Sequence, residues 1–398
     1  MQDKRINIKI VIKGNFPFGG ASANYLRNLA IGLSGYNNVE VLLPHGYNYG
    51  AVKNKNASML GRIENVTWRY LSFINAPKNK FIRAIGGYWG SLHLLFYLIF
   101  ARLKNTIDII IKYNIDFTYN VLLLAVCKVT NIKLINIIPE FYNKPTQVSI
   151  ALIKWYNFYI GLTYLARFSN SMIVLSKYLE KYVRLHGFSK SLIIIPNIIN
   201  PETFNAKVSP FKKGVITIGY AGTPTKKDGI DDLLKSFAIV HKEFPDVHLL
   251  IVGDVASKTI IPTLKEKAKN LGIFDVTTFT GLVDFTKIPG LLNSCDILVL
   301  SRPKGIASEA GFPTKLGEYM ACKKPIVVTK VGDIVEYFKN NNSVILVGPN
   351  NIESIVQGIK SIINDSALQI KIGNEGYQWM LKHLEYKRVA KKISSWYF

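Results

Sequence analysis

The sequence predicts an α/β protein built from two Rossmann-like, doubly wound domains. Three observations carry that prediction. Short β-branched runs alternate with longer helical patterns along the whole chain, the signature of a mostly parallel sheet covered by helices. The alternation restarts at "GVITIGYAG", after a stretch rich in Pro, Asn and Lys. A length of 398 residues, 48% of them apolar, exceeds one ordinary core and suits two domains of about 200 residues each.

In the first half the strand runs are "INIKIVIK", "VEVLLP", "VTWRYLS", "DIIIKY", "KLINIIP", "SMIVLS" and "SLIIIP", with helical stretches at 21–33 and 148–168 among the gaps. In the second half they are "GVITIGYAG", "VHLLIVGD", "VTTFTG", "DILVLS", "PIVVT" and "SVILVG", and "DGIDDLLKSFAIVHKEF" reads as the first helix. The stretch 196–214 has the composition of an interdomain linker. We therefore expect domains at 1–207 and 208–380, with a closing helix at 381–398 that crosses back to the first domain. Two such halves facing a central cleft would present strand ends and helix N-termini to it, the edge at which open α/β sheets bind ligands.

Composition narrows the function. The formal charge is +24, and residues 1–200 hold 24 Lys and Arg against 7 Asp and Glu. A basic surface implies an anionic partner. No RNP sequence, zinc-finger spacing or Arg-rich arm accompanies it, so nucleic acid is not expected. Aromatics interleaved with cations in "KNKFIRAIGGYWGSLHLLFYLIFARLK" fit a face for an anionic membrane surface; a merely solvated basic face is the competing reading. The apolar part of 87–105 is about 14 residues, short of the roughly 20 that span a bilayer, so a buried or interfacial helix is expected there. The opening "MQDKRINIKIVIKGN" reads as a first strand rather than a secretory signal. Cys127, Cys295 and Cys322 follow no metal spacing, and the six histidines form no HxH or HExxH pair. Buried free thiols in a reducing cytoplasm, and no metal, are the expectation.

Three constellations carry chemistry. In "KGNFPFGGASANYLRNLA" a strand runs through a Gly/Pro loop into a helix after Gly19 and Gly20. Such a helix start favours an anion, although it is not GxGxxG and a plain turn reads the same way. In "GYAGTPTKKDGIDDLL" Lys226 and Lys227 precede a helix and are placed to neutralise a diphosphate, unless they are only solvated. In "EAGFPTKLGEYMACKKPIVVT" the Gly311-Phe312-Pro313 loop opens a helix where proline's missing N–H costs nothing. That leaves the amides of Thr314, Lys315 and Leu316 to face an anion. Glu318, about one turn in, is able to accept two hydroxyl protons, as from a ribose. Together they point to a diphosphate flanked by sugars.

With "IGYAGTPTKKDGIDDLL", "HLLIVGD", "FTGLV", "CDILVLS", "GFPTKLGEYMACKKPIVVT" and "VGDIVEYF" in this order, the second half resembles the nucleotide-binding domain of retaining GT-B glycosyltransferases, the large family-four group. The first half resembles it more loosely through "GGASANYLRNLA", "MIVLSKYL" and "IIPNIINPETF". The resemblance implies GT-B architecture, transfer of a sugar from a UDP- or GDP-type donor to a glycan or lipid-linked acceptor, retention, no metal, and a site on the inner face of the membrane. It implies that Glu318 holds the donor ribose and Lys227 the phosphate. The backbone of Gly281, Leu282 and Val283 would hold the base. The family's first acid falls on Ala310, with Glu309 beside it. Its phosphate-binding arginine is replaced by Thr223-Pro224, leaving Arg302 and Lys304 as the nearest basic residues. Glu140, at a strand end, is the candidate to orient the acceptor hydroxyl or the donor sugar, and with Lys227 it makes up the expected catalytic pair. The rival readings are an inverting GT-B transferase or sugar-nucleotide epimerase, and a non-catalytic nucleotide-sugar-binding protein.

Overall fold

Each of the thirteen strand runs is a strand in the computed structural model, which describes residues 5–44, 58–74, 77–142, 144–145, 150–206, 208–255, 259–338 and 342–397. The chain divides into two units, 1–198 with 386–398, and 199–385.

In the first unit the strands are β1 (Asn7–Val11), β2 (Asn38–Leu43), β3 (Leu60–Ile63), β4 (Val66–Tyr70), β5 (Ile109–Tyr113), β6 (Lys133–Ile138), β7 (Ser171–Val174) and β8 (Ser191–Ile194), in the order β3-β4-β2-β1-β5-β6-β7-β8. All neighbours are parallel except β3 and β4. The sequence reading lacked β3, because "LGRI" carries a glycine and a charge. It forms as the return arm of a hairpin whose turn places Glu64 at φ 51°.

Alternation along the strands builds two cores. Ile8, Ile10 and Ile12 face one side, packed with residues of the helices Ala21–Ser34 and Tyr386–Tyr397. Val11, Leu42 and Ile110 face the other, against the helices Lys80–Leu103 and Phe117–Thr130, as a period of two requires. At Gly32 a Cβ would stand 2.6 Å from the Tyr386 carbonyl oxygen; glycine there lets the closing helix lie directly on the helix Ala21–Ser34.

The second unit contains β9 (Ile216–Ala221), β10 (Val247–Val252), β11 (Thr277–Phe279), β12 (Ile297–Leu300), β13 (Ile326–Thr329) and β14 (Ile345–Val347), all parallel, in the order β11-β10-β9-β12-β13-β14. Strand order reverses between β9 and β12, which opens a crevice beyond their carboxyl ends. In the first sheet the same reversal falls between β1 and β5.

Three boundaries differ from the sequence reading. The units part at 198/199, not 207/208, and the closing helix starts at Tyr386, not 381. The Pro- and Asn-rich stretch is not a free linker. Phe204 is buried in the second core, the Phe211 amide donates to the Ser294 carbonyl (3.0 Å), and the Phe211 ring stacks on His248. Residue 207 itself, and 148–149 of the expected helix, lie outside the described residues. That helix runs Ile150–Ile160 and then widens into a π turn at Gly161–Leu165. There Gly161 lies so close to the Asp116 backbone that a Cβ would come within 2.8 Å of it.

Candidate functional site

The crevice beside β9 and β12 is built from residues far apart in sequence. Strand β9 ends at Ala221, whose amide donates to the Tyr319 hydroxyl (2.7 Å). Gly222 follows at φ 148°, where a Cβ would stand 1.9 Å from Lys315 Cε. A glycine here is what admits the lysine stem beneath the loop. Lys315 Nζ donates to Asp228 Oδ2 at 2.5 Å and to the Tyr220 hydroxyl at 3.2 Å. The Tyr220 hydroxyl donates to the same carboxylate (2.8 Å), and Arg302 Nε lies 3.8 Å from Asp228 Oδ1. Arg302 also donates to the carbonyls of Ala307 (3.0 Å) and Gly311 (3.4 Å). It thereby ties the end of β12 to the Gly-Phe-Pro loop.

The charges are mutually tuned. Burial by itself would raise the Asp228 carboxyl; Lys315, the Tyr220 hydroxyl and Arg302 outweigh it and hold the group below the usual carboxylate range. Burial lowers the Lys315 ammonium, with Asp228 acting against it. Glu318, on the helix Thr314–Ala321, is the exception. Desolvation pushes its carboxyl up to about 7, only partly countered by Lys315. A carboxyl in that state gains most from a ligand that donates hydrogen bonds to its charged form.

Other predicted residues fall around this centre. Lys226 and Lys227 are exposed on the short turn Lys226–Asp228. Their neighbour Asp228, which the sequence reading passed over, is the buried hub. Glu309, beside Ala310, accepts from the Gly332 amide through Oε2 (3.1 Å). Ala310 is fully buried, so its position gives a carboxylate no solvent. The side chains of Phe312 and Leu316 are buried in the core, so only their backbones are available to a ligand. The Leu316 amide already donates to the Pro313 carbonyl (3.0 Å). Gly281, at φ 66°, bridges to Gly253, and Leu282 beside it is exposed. The Lys304 amide donates to Asn350 Oδ1 (2.9 Å), and that residue is exposed. Asp228, Tyr220 and Tyr319 were missed because their partners are 8 to 98 residues away. The one local signal was the Asp-Gly pair, whose Gly229 sits at φ 69°.

Residues 201–379 match the family described as glycosyl transferases group 1. That match spans nearly all of the second unit, 199–385. The capsular polysaccharide biosynthesis glycosyltransferase CapM of Staphylococcus aureus is 24% identical over 178 residues, covering 45% of this chain and 42% of CapM. The chain spans about half the length of the curated relatives it matches. Two solved structures share the fold across nearly the whole chain. Sucrose-phosphate synthase from Thermosynechococcus elongatus has a TM-score of 0.74 at 15% identity, covering 99% of this chain and 98% of that one. Anabaena Alr3699/HepE in complex with UDP-glucose has 0.70 at 16% identity, covering 98% of each. The architecture is therefore GT-B, and the group 1 match falls on its second Rossmann-like unit.

The first unit has its own charged cluster at the β1/β5 reversal. Gly20 caps the helix Ala21–Ser34 without a side-chain hydrogen bond, and Gly19 precedes it. Lys112 Nζ lies 3.0 Å from Asp116 Oδ2 and Lys13 Nζ 3.4 Å from Asp116 Oδ1. Burial would raise Asp116, but the two lysines hold it at about 2. Burial lowers Lys13 to about 8. Glu140 follows β6, and its charge adds to burial in raising the hydroxyls of Tyr113 and Tyr142. Among the described residues no three His, Cys, Asp or Glu are grouped to hold a metal. The three cysteines are free and buried, and burial pushes Cys127 and Cys295 up to about 12.

Proposed function

We propose that the protein is a retaining glycosyltransferase that moves a sugar from a nucleoside diphosphate sugar to a hydroxyl acceptor. The observation that carries this reading is the meeting of Gly222, Lys315, Arg302 and the desolvated Glu318 beyond β9 and β12, inside the group 1 match. In this reading Glu318 accepts the ribose hydroxyls, and the amides of the Gly-Phe-Pro loop face the diphosphate. Lys315, Arg302 and the exposed Lys227 balance the charge that builds on the leaving diphosphate, the role otherwise given to a metal ion. The acceptor attacks on the face the phosphate leaves, with the phosphate as base and Glu140 orienting the acceptor. A UDP-type donor is supported by the UDP-glucose complex of the similar Anabaena protein, and GDP is the alternative. CapM's role in capsular polysaccharide biosynthesis supports a surface-glycan acceptor.

The basic first unit supports work at the inner face of a membrane. The helix Lys80–Leu103 has 24 residues, longer than the sequence reading allowed, and by length and composition alone it is able to span a bilayer. Its inner side is committed to the sheet, with Leu94, Leu98 and Ala101 buried. A surface-lying helix therefore fits it better.

A second reading, a nucleotide-sugar-binding protein without catalysis, is favoured by Ala310 at the first acid's position. Calorimetric binding of UDP, GDP and their sugars, followed by donor turnover with and without acceptor, separates the two. Saturable binding with no turnover selects the binder; no binding of any nucleotide rejects both. Lys227→Ala should weaken the diphosphate more than the nucleoside, by about 1.5–3 kcal/mol.

A further inference from the structure

Beside β4 the first unit contains a cavity of about 520 Å³ between Met59, Phe73 and the first turns of the long helix, where Phe81, Ile82, Ile85 and Trp89 line it. Phe73 reaches the helix because residue 86 is glycine; a Cβ there would stand 2.0 Å from the Phe73 ring. Three polar groups of the lining are engaged inside the chain. The Tyr70 hydroxyl donates to the Phe16 carbonyl (3.1 Å), Ser72 Oγ to the Gly86 carbonyl (2.9 Å), and His93 Nδ1 bonds the Leu71 carbonyl (2.9 Å). Such a cavity offers a ligand mostly apolar surface, so hydrocarbon fits it.

The surroundings say where that hydrocarbon comes from. The cavity opens onto a helix whose outer face exposes Phe81 (73%), Tyr88 (73%), Phe96 (59%), Phe100 (59%) and Leu103 (72%). The helix has no acidic residue. Between residues 78 and 168 the chain has eleven Lys and Arg against three Asp and Glu. Lys78 and Arg83 flank the cavity-lining turns and make no ion pair among the described residues. Apolar surface ringed by cations matches an anionic lipid interface.

We propose that this cavity takes one hydrocarbon chain of an anionic lipid drawn from the membrane, with Lys78 and Arg83 on its headgroup. The proposal rests on the membrane-surface reading above, and the test separates them. The probe is 1-palmitoyl-lysophosphatidylglycerol below its micelle concentration, measured on the full chain by equilibrium dialysis and native mass spectrometry, alongside sedimentation with phosphatidylglycerol vesicles. One lipid should bind per chain. Ile85→Trp and Ile82→Trp fill the cavity yet keep the face apolar, and each should weaken lysolipid binding about tenfold while vesicle binding persists. Phe96→Ser with Phe100→Ser alters the face away from the cavity; it should reduce vesicle binding and leave the single lysolipid in place. The choline analogue should bind more weakly than the glycerol one. The proposal is overturned if lysolipid binds without saturation, if neither filling variant changes it, or if the parent protein sediments with vesicles yet binds no lysolipid when vesicles are absent.

Discussion

Lys315 and Asp228, 87 residues apart, meet at 2.5 Å under the Gly222 loop. Their contact locks the Gly-Phe-Pro helix to the turn before the helix Ile230–Glu243. With side chains only 18% and 11% exposed, each would be costly to leave alone. Lys315→Ala should therefore lower unfolding free energy by about 3 kcal/mol, and Lys315→Ala with Asp228→Asn by less than the sum of the single changes. Denaturant midpoints at constant slope measure this. Additive losses would show that the pair is not coupled.

If Glu318 holds the ribose as proposed, nucleotide binding should depend on pH. Burial pushes its carboxyl up to about 7, and hydroxyl donors favour the charged form. Uridine affinity should accordingly fall as pH drops below about 7, by up to about tenfold per unit. Uridine avoids the titration of phosphate. Calorimetry from pH 5.5 to 8 should show this slope in the parent and a flat profile in Glu318→Gln. A sloped profile in the variant would remove Glu318 from the ribose.

Gly229 tests the crevice wall. At φ 69° a Cβ would meet the Ser301 carbonyl oxygen at 1.8 Å, whereas Gly272, at φ 70°, has nothing within 4 Å of the same position. Both alanine variants bear the left-handed backbone cost of about 1 kcal/mol. Only Gly229→Ala must also displace β12's end, so its melting temperature should fall further and nucleotide binding should weaken with it.

His248 gives the second unit an acid-sensitive point. Burial, with Lys212 nearby, depresses its imidazole from 6.5 to about 4. The unfolded chain takes up this proton first as pH falls. The stabilisation is thus complete above about 6.5 and is lost progressively toward 4. His248→Gln should flatten the stability profile in that window by on the order of 2 kcal/mol, read from urea unfolding at pH 7 and pH 4.5.

Membrane attachment should respond to salt. Replacing Arg83, Arg102 and Lys104 by alanine should weaken binding to anionic vesicles by about 1 kcal/mol per cation. The difference should shrink at 1 M salt, where screening is short-ranged. Equal binding of the parent to neutral and anionic vesicles at low salt would reject a charge-led surface.

By itself the sequence determined the α/β class, all thirteen of the strand runs read, the restart of the pattern and the glycosyl transferases group 1 resemblance. These depend on local periodicity and on short motifs in order, which are written in consecutive residues. The place of Glu318 on the helix Thr314–Ala321 was legible too, because one helical turn fixes its distance from the Gly-Phe-Pro loop. What the tertiary structure decided is everything set by contacts across the chain. Asp228 becomes the hub of the cluster only because Lys315, Tyr220 and Arg302 converge on it in the fold. Glu309 looked available until the Gly332 amide claimed its carboxylate. The stretch 196–214 read as a linker because its composition is turn-like, but Phe204 and Phe211 anchor it to the second unit. Strand β3 exists only because β4 lies beside it. Sequence spacing encodes which face a residue presents; only the closed sheet determines which charge, ring or amide stands opposite.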